Sequence, residues 1–383
     1  MKFKTRVRLF MLLCLVKVAE QSCKSIIKNK PQCDSFGDIN LGQTDWVGIT
    51  TNNLEPLDVI ENGNNIKRLQ IDGSINGIKE GAFTKMPKLE QLVLSSNKLE
   101  VIPQGVFNNL NLKQIYLNEN RIAKIEAGAF ENDNNLRKLS FRYNNIKRLQ
   151  PETFNNLNLE QLTLSHNKIS TLNKNDLGVL PALTVLHLDN NRLTTFLSDS
   201  LSHPQRLEIL WLHNNSINVL FSYMFQELKS LKLLNLGSNG ITMIEPRTFE
   251  KIPLINNLIL FNNSITHLTG AEFTNTGMHH LEKLYINYNK LMYLSSDMLV
   301  RLPRLKLVTI GGNPWECSCL DLLLKIFKQH KVTVKCDDVY FEGMRPVCIG
   351  NSTHCDYNYD RNLSDLFVKS LREYPRDKKW CLL

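Results

Sequence analysis

One short pattern of apolar and polar residues recurs along most of the chain. Its clearest copy is residues 207–215, LEILWLHNN, which has leucine at positions 1, 4 and 6 and asparagine at position 9. Side chains alternate between the two faces of a strand, so positions 4 and 6 lie on one buried face and positions 3, 5 and 7 face outward. The pattern recurs every 23 to 26 residues, beginning at Ile66, Leu89, Leu112, Leu136, Leu159, Leu183, Leu207, Leu231, Ile255, Leu281 and Leu305. It predicts eleven strands, one in each repeat.

Position 9 is asparagine in ten of the eleven repeats, and only Ser74 in the first repeat differs. The asparagines are Asn97, Asn120, Asn144, Asn167, Asn191, Asn215, Asn239, Asn263, Asn289 and Asn313. A buried amide can satisfy backbone donors and acceptors where the chain turns inside a core. The pattern is typical of a leucine-rich repeat. We therefore predict an α/β repeat fold: a leucine-rich-repeat solenoid, or horseshoe, with a parallel concave sheet of about 11 strands.

A second apolar column follows at position 19 of most repeats. Its members are Phe107, Phe130, Phe154, Leu177, Leu201, Phe225, Phe249, Phe273 and Leu299. Their regular spacing predicts a buried spine on the convex side, stacked from one repeat to the next.

The start of the chain predicts a secretory signal peptide over residues 1–22, with cleavage between 19 and 22. Residues 1–8 carry four basic side chains, and residues 9–16 form an apolar run too short to cross a membrane. Cleavage after Ala19 leaves 41 basic and 37 acidic residues, so the formal charge of +9 for the 383-residue chain falls to +4. A charge this small, without a basic stripe along the outward positions, removes the main argument for a nucleic-acid partner.

Eight of the nine cysteines lie beyond the predicted signal peptide. An even number in an exported chain predicts disulfides, because secreted proteins meet an oxidising environment. Cys23 and Cys33 flank a short loop before the strand-like residues 46–51, which we interpret as a capping strand, and we expect these two cysteines to pair. The other six follow the last repeat: Cys317, Cys319, Cys336, Cys348, Cys355 and Cys381. Six cysteines allow 15 pairings.

These groups divide the chain into a signal peptide (1–22), an N-terminal cap (23–65), repeats (66–312) and a C-terminal cysteine-rich cap (313–383). Residues 313–319, NPWECSC, and the apolar run 320–327 resemble the C-terminal cysteine-flanking module of animal extracellular leucine-rich-repeat proteins. The resemblance implies disulfides Cys317–Cys348 and Cys319–Cys355. Cys336 and Cys381 are additional to that pattern, and we expect them to pair with each other.

The chain plan most resembles the secreted leucine-rich-repeat immune proteins of mosquitoes, and the later segment GMRPVC (343–348) resembles insect members of the group. Longer members of that family continue into a coiled coil, but residues 356–383 hold too few apolar residues at helical spacing for three heptads. The resemblance implies secretion and innate immunity.

Four sequons support export. Asn214, Asn262, Asn351 and Asn362 are each the first residue of an N-x-S/T sequence. Glycans at the first two would line the edge of the strand face, unless tight turn geometry prevents modification. With no predicted membrane span, we expect a secreted, extracellular protein.

The outward positions change character along the chain. Early repeats present polar residues there, whereas later ones present a mostly apolar and aromatic set. That set is Val185, His187, Ile209, Trp211, His213, Leu233, Ile259, Phe261 and Tyr285. Such a cluster with a polar rim predicts a ligand-binding surface on the concave face for a protein or glycoconjugate. The alternative is that these side chains only pack against one another across the sheet.

Two chemical interpretations of this face are weaker. Ser165, Asp189 and His213 occupy position 7 of consecutive repeats, but a triad needs the base between nucleophile and carboxylate, and Asp189 stands in the middle. His187, Asp189 and His213 include metal-ligand types, yet ordinary surface histidines explain them better. We therefore predict no catalytic residues, no metal and no cofactor. The expected function is recognition, in innate immunity or alternatively as a matrix or cell-adhesion component.

Overall fold

The computed structural model describes residues 23–27, 30–33, 45–51, 56–60, 63–131, 133–151, 153–275, 277–335, 348–350, 354–355 and 358–373. The chain divides into two compact units. The first is Met1–Leu183 with Ser200–Ser202, and the second is Thr184–Asp199 with His203–Leu383. The predicted signal peptide, Cys336, Cys381 and Asn351 lie outside the described residues.

The strands are short, and most repeats have one of three residues. In chain order they are β1 (Cys23–Ile27), β2 (Lys30–Cys33), β3 (Trp46–Thr51), β4 (Pro56–Leu57), β5 (Arg68–Gly73), β6 (Gly77–Ile78), β7 (Gln91–Val93), β8 (Val101–Ile102), β9 (Gln114–Tyr116), β10 (Lys124–Ile125), β11 (Lys138–Ser140), β12 (Gln161–Thr163), β13 (Gly178–Val179), β14 (Val185–His187), β15 (Leu201–Ser202), β16 (Ile209–Trp211), β17 (Val219–Leu220), β18 (Leu233–Asn235), β19 (Met243–Ile244), β20 (Asn257–Ile259), β21 (Lys283–Tyr285), β22 (Leu307–Thr309) and β23 (Thr333–Val334). The helices are α1 (Ser296–Val300), α2 (Cys317–Gln329) and α3 (Arg361–Glu373), and Ser198–Ser200 forms a 3-10 turn.

In the first unit the main sheet has the order β1-β2-β3-β5-β7-β9-β11-β12. β1 and β2 pair antiparallel, and from β2 onward each described pair is parallel. The register aligns the central inward residues, so that Leu92 faces Ile115 and Ile115 faces Leu139. The predicted capping strand and the first five repeat strands are confirmed.

The second unit repeats the same plan, with the order β14-β16-β18-β20-β21-β22-β23 and parallel pairing throughout. Leu210 faces Leu234, which faces Leu258 on the next strand. All eleven predicted repeat strands are therefore present, and the leucine-rich-repeat fold class is confirmed. β23, from the C-terminal cap, extends this sheet by one strand.

The position 9 asparagines form the predicted ladder of amides, of which seven are buried and three, Asn215, Asn239 and Asn263, are half-buried. Asn144 is typical: its Oδ1 accepts from the backbone N–H of Ile122 at 2.9 Å, and its Nδ2 donates to the carbonyls of Leu117 at 2.9 Å and Phe141 at 3.0 Å. Asparagines in both units repeat this bonding. Within each unit, these amides join their own turn to the preceding turn.

The position 19 column is buried along its whole length. In the first unit successive rings lie 5.4 to 6.2 Å apart between Phe107, Phe130 and Phe154, and Phe83 extends the stack. In the second unit Phe249 and Phe273 lie 5.5 Å apart. Two-residue strands pair beside this spine, as in β17 with β19. The spine and the sheet together enclose the core of each unit.

The C-terminal cap is held by disulfides Cys317–Cys348 and Cys319–Cys355, the two pairings that the family resemblance implied. Trp315 is completely buried, and its indole N–H donates to the carbonyl of Ile310 at 2.9 Å. At the other end, the hairpin register places Cys23 opposite Cys33, but the bond between them stays a prediction. No helix in the described part of the chain is long and apolar enough to cross a membrane.

The ladder provides the first testable prediction. Asn144→Ala should lower the free energy of unfolding by about 1–3 kcal/mol, because it leaves buried backbone groups without partners. The neighbouring Asn145→Ala is the matched control, since the half-buried Asn145 side chain makes one long hydrogen bond among the described residues, 3.5 Å to the carbonyl of Arg121. Denaturant titration of both variants measures the difference. Equal effects would contradict the role assigned to the ladder.

One buried residue breaks the apolar pattern of the first unit. Asp133 lies three residues before the start of a repeat, at the position that Met86 and Leu180 occupy before other repeats. The backbone carbonyl of each of these three residues accepts a hydrogen bond from the backbone N–H of the first residue of the next repeat. Asp133 is completely buried, and neither carboxylate oxygen has a hydrogen-bond partner among the described residues. Burial raises the pKa of its carboxyl from 3.8 to about 7, against a smaller opposing effect of Arg137.

This raised pKa predicts a pH-dependent stability. The folded state keeps the Asp133 carboxyl neutral up to a higher pH than the unfolded state does, so the unfolding free energy falls as pH rises from about 4 to about 7. The difference in pKa corresponds to at most about 4 kcal/mol. Asp133→Leu should therefore stabilise the protein at pH 8 and much less at pH 4, as measured by denaturant titration at both values. Glu131→Leu, at an exposed acid two residues away, should change the pH dependence little. A wild-type-like pH dependence in Asp133→Leu would be the contrary result.

Candidate functional site

The predicted contact residues lie on the outward face of the second unit's sheet. The parallel register places the position 5 residues side by side, so His187 is beside Trp211, Trp211 beside Asn235, and Ile259 beside Tyr285. Eight of the nine are half-buried, with part of each side chain open to solvent: Val185, His187, Ile209, Trp211, His213, Leu233, Phe261 and Tyr285. We call these eight the sheet-face cluster.

Ile259 is the exception, and the expectation that it is open to a ligand is wrong. Its exposed fraction is 1%. Asn235 and Tyr285 flank it on the two adjacent strands, and Phe261 follows two residues later on its own chain segment. These three neighbours enclose the Ile259 side chain. Burial also raises the pKa of the Tyr285 hydroxyl, which therefore stays neutral at physiological pH.

Three rings form the centre of the cluster. The imidazole of His187 stacks on the indole of Trp211, with centroids 5.5 Å apart and planes 12° apart. The imidazole of His213 meets the same indole edge-on, at 5.3 Å and 66°. Stacked and edge-to-face arrangements are the favourable geometries for aromatic rings. Trp211 is therefore held between two imidazoles.

A polar chain supports this centre. The Asp189 carboxylate, with a side chain only 8% exposed, lies 3.9 Å from Nδ1 of His187 and 3.7 Å from Nε2 of His213, through different oxygens. Asn190 Nδ2 donates to Asp189 Oδ2 at 2.7 Å. On the other side of His213, Asn235 Nδ2 lies 3.4 Å from Nδ1, and Asn235 Oδ1 accepts from the N–H of Gly237 at 3.0 Å.

This order of contacts favours one form of His213. Because Asn235 presents its amide donors to Nδ1, that nitrogen is an acceptor and the proton belongs on Nε2, facing Asp189. This series of polar contacts, from Gly237 through Asn235 and on to Asp189, thus orients the His213 ring against Trp211. Asn190, Asn235 and Gly237 were not among the residues predicted for the site.

Phe261 depends on a glycine in the preceding repeat. Its ring lies over Gly237, where a Cβ would come within 2.5 Å of the ring carbon Cε1. Gly237 occupies position 7, as Phe261 does one repeat later. The missing side chain leaves the space in which the ring lies. A glycine at an outward position beside an aromatic residue is the sequence signal that could have indicated this contact.

Family comparisons agree with this architecture. A model described as BspA type Leucine rich repeat region matches residues 59–177, one described as Leucine rich repeat matches 205–265 and 255–314, and one described as Leucine Rich Repeat matches 182–204. Together these matches cover more than half of the chain. The chain is a leucine-rich-repeat protein.

Similar proteins extend this finding. Bovine osteomodulin (Bos taurus) is 40% identical over 53 residues, which are 14% of this leucine-rich-repeat protein and 13% of osteomodulin. A chain of the Drosophila Toll–Spatzle complex aligns with a TM-score of 0.59 and 22% identity, covering 74% of this chain and 41% of that one. The TLR13–ssRNA13 complex gives 0.65 and 22%, covering 78% and 44%. The leucine-rich-repeat protein thus spans less than half the length of these relatives, and the two structures share its fold.

In the leucine-rich-repeat protein the Asp189 carboxylate lies 3.9 Å from Nδ1 of His187 and 3.7 Å from Nε2 of His213, but the possible ligand atoms of these three residues do not all lie within 4.8 Å of one another. Among the described residues, the group of three metal-ligand types within 4.8 Å is Glu316, Cys319 and Cys355. The two cysteines there are bonded to each other, so neither offers a thiolate.

The sequons of the leucine-rich-repeat protein differ in accessibility. Asn214 is exposed and Asn262 half-buried, and both occupy position 8 with φ of 53° and 52°. Asn214 Nδ2 donates to Asn190 Oδ1, and Asn262 Nδ2 donates to Ser238 Oγ, each at 3.0 Å. Asn362 is exposed on α3. Glycosylation at these three positions stays a prediction.

The Phe261 contact can be tested by a double-mutant cycle. Gly237→Ala should lower the free energy of unfolding by about 1–3 kcal/mol, because its Cβ would collide with the ring. The cost should shrink when Phe261→Ala is also present, since the collision is then removed. Thermal and denaturant melting of the four proteins provide the measurement.

Gly240→Ala is the matched control, because its Cβ would meet no atom closer than the Ile217 carbonyl oxygen at 3.8 Å. It should change stability by less than about 1 kcal/mol. A cost for Gly237→Ala that is the same with and without the ring would place Phe261 elsewhere.

Proposed function

We propose that this leucine-rich-repeat protein is a secreted, non-enzymatic recognition protein that binds a protein or glycoconjugate through the sheet-face cluster, in innate immunity. The alternative is an extracellular matrix or cell-adhesion component using the same face. The observation that carries the proposal is the half-buried aromatic centre, in which Trp211 contacts both His187 and His213.

A fixed, partly exposed tryptophan is suited to an interface. Folding of a repeat needs inward leucines, not an outward indole, and tryptophan is among the residues that contribute most to protein contacts. The stacked imidazoles restrict the indole before any ligand arrives, so less conformational freedom is lost on binding. Aliphatic Val185, Ile209 and Leu233 form a neighbouring row along the same strands. An aromatic centre beside aliphatic side chains with a polar surround is the composition of a contact surface.

Export is supported by independent features. Two disulfides in the C-terminal cap favour an oxidising compartment. The predicted signal peptide and sequons agree with that route. Structural neighbours bind different ligands: the Toll–Spatzle complex is described as a hub in development and innate immunity, and TLR13 is bound to a single-stranded RNA. The first of these supports an immune setting, while the pair shows that one fold serves unlike ligands.

The test is capture of a partner that depends on Trp211. The mature protein and its Trp211→Ala variant are immobilised and incubated with extracellular fluid, and bound components are compared by mass spectrometry. A partner retained by wild type should bind Trp211→Ala about 5 to 150 times more weakly, the range for an interface anchor worth 1–3 kcal/mol. Thermal melting should change little, because the indole is half-exposed.

Tyr116→Ala is the matched control. Tyr116 is also an aromatic residue at position 5, but it lies in the first unit between Val93 and Ser140 of the adjacent strands, and its hydroxyl donates to Gln114 Oε1 at 3.0 Å. This variant should retain the partner. Equal retention by all three proteins would contradict the proposed site. Recovery of the partner from circulating fluid favours the immune role, and recovery from an insoluble matrix favours the alternative.

A further inference from the structure

The charge of the sheet-face cluster indicates what kind of group it accepts. Twelve residues occupy positions 3, 5 and 7 on the segments of β14, β16, β18 and β20: Val185, His187, Asp189, Ile209, Trp211, His213, Leu233, Asn235, Gly237, Asn257, Ile259 and Phe261. With neutral histidines, Asp189 is the one residue of these twelve that carries a formal charge. With both histidines neutral, these four strands therefore present one negative charge, that of Asp189, and the adjacent strand β21 adds the positive charge of Lys283 at position 3.

Ring faces add to that negative character. The π face of an indole or phenyl ring carries partial negative charge and attracts cations placed above it. The Trp211 indole contacts the same two imidazoles that contact Asp189. Phe261 leans over Gly237 toward β18, the strand that pairs with β16 of Trp211. A carboxylate and two aromatic rings thus lie on the segments of four neighbouring strands, β14 to β20.

We propose that this cluster binds a cationic side chain, arginine in particular, presented by a protein partner. The inference rests on the proposed function and names the chemistry of that partner. A planar guanidinium can stack on an indole while its N–H groups point toward a carboxylate, which a compact ammonium does less well. The attraction of Asp189 and of the rings acts on the same ligand charge.

Other ligand classes fit this surface less well. An anionic group would be repelled by Asp189 and by the ring faces. A purely aliphatic group would remove the remaining water from the carboxylate without supplying a hydrogen-bond donor. A neutral sugar could stack on Trp211 but would gain nothing from the charge. A cation is the ligand that uses the carboxylate and the aromatic rings together.

The test uses the full chain and simple peptides, so it needs no natural partner. Acetylated and amidated Gly-Gly-Arg-Gly-Gly is titrated into protein labelled with ¹⁵N at tryptophan, and the Trp211 indole signal is assigned with Trp211→Phe. Peptides with Leu or Glu at the centre, and a neutral methyl glycoside, are titrated in parallel. The arginine peptide should shift the Trp211 signal saturably and bind more tightly than the other three probes.

Two variants probe the carboxylate and the ring. Asp189→Asn should weaken the arginine peptide by about fivefold or more, since it removes the charge with almost no change in shape. Phe261→Leu keeps an apolar side chain over Gly237 but removes a π face, and it should also weaken the peptide. If Asp189→Asn fails to fold, as judged by melting, Phe261→Leu still decides the question.

Asp72→Asn is the matched control. Asp72 is a carboxylate at the same position 7 in the first repeat, where it accepts from Gln70 Nε2 at 2.9 and 3.0 Å rather than meeting aromatic rings. This variant should leave the titration unchanged. Equal weakening by Asp72→Asn would mean a general charge effect and would overturn the proposal. So would an equal or stronger response to the leucine peptide, the glutamate peptide or the glycoside.

The experiment separates this inference from the proposed function. If Trp211→Ala loses the natural partner but the arginine peptide does not bind selectively, the recognition function stands and the cationic ligand is wrong. If the arginine peptide binds in an Asp189-dependent way but no partner depends on Trp211, the cluster accepts cations and the proposed function is wrong.

Discussion

The structure depends on how the chain satisfies its backbone where it turns inside the core. Strands of three residues contribute few hydrogen bonds, and the groups just beyond them are removed from water. The asparagine amide completes the bonding of its own turn and of the preceding turn, as Asn144 does with Phe141 and Leu117. Because each amide joins two consecutive turns, it also aligns their strands. That alignment places outward residues in rows, and the His187–Trp211 stack is one product of it.

The eleven strands, the asparagine ladder and the apolar spine could be predicted because each follows from a fixed spacing. Depth of burial could not. Alternation indicates that Ile259 faces outward, but its 1% exposure depends on Asn235 and Tyr285, which are about 24 residues away along the chain. Gly237 was missed for a related reason: its contribution is an absent side chain, and although its outward position beside an aromatic residue was a signal, the direction of the Phe261 ring is what establishes the contact. The polar contacts of Asn235 could not be predicted either, because they depend on side-chain rotamers.

The sheet-face cluster combines rigidity with exposure. Asp189, Asn190 and Asn235 are anchored in the polar chain, and they orient rings that remain partly open to solvent. Polar support beneath an aromatic surface resembles the organisation of a preformed contact site, in which the residues that touch the ligand are positioned by others that do not. The neighbouring aliphatic row adds apolar contact area, whereas the rings and the carboxylate restrict the orientation of a ligand. This division explains why a chain of ordinary repeats can carry a specific surface.

The buried carboxyl of Asp133 has a consequence for how the first unit moves. Each repeat contacts mainly its immediate neighbours, so a local defect lowers the stability of the junction where it lies. The rest of the unit is affected less. Above neutral pH, an ionised Asp133 favours transient opening between the repeats that begin at Leu112 and Leu136. Amide protons near that junction then exchange with solvent sooner than those nearer the capping strand. Ionisation of Asp133 is thus expected to weaken this junction before the rest of the first unit.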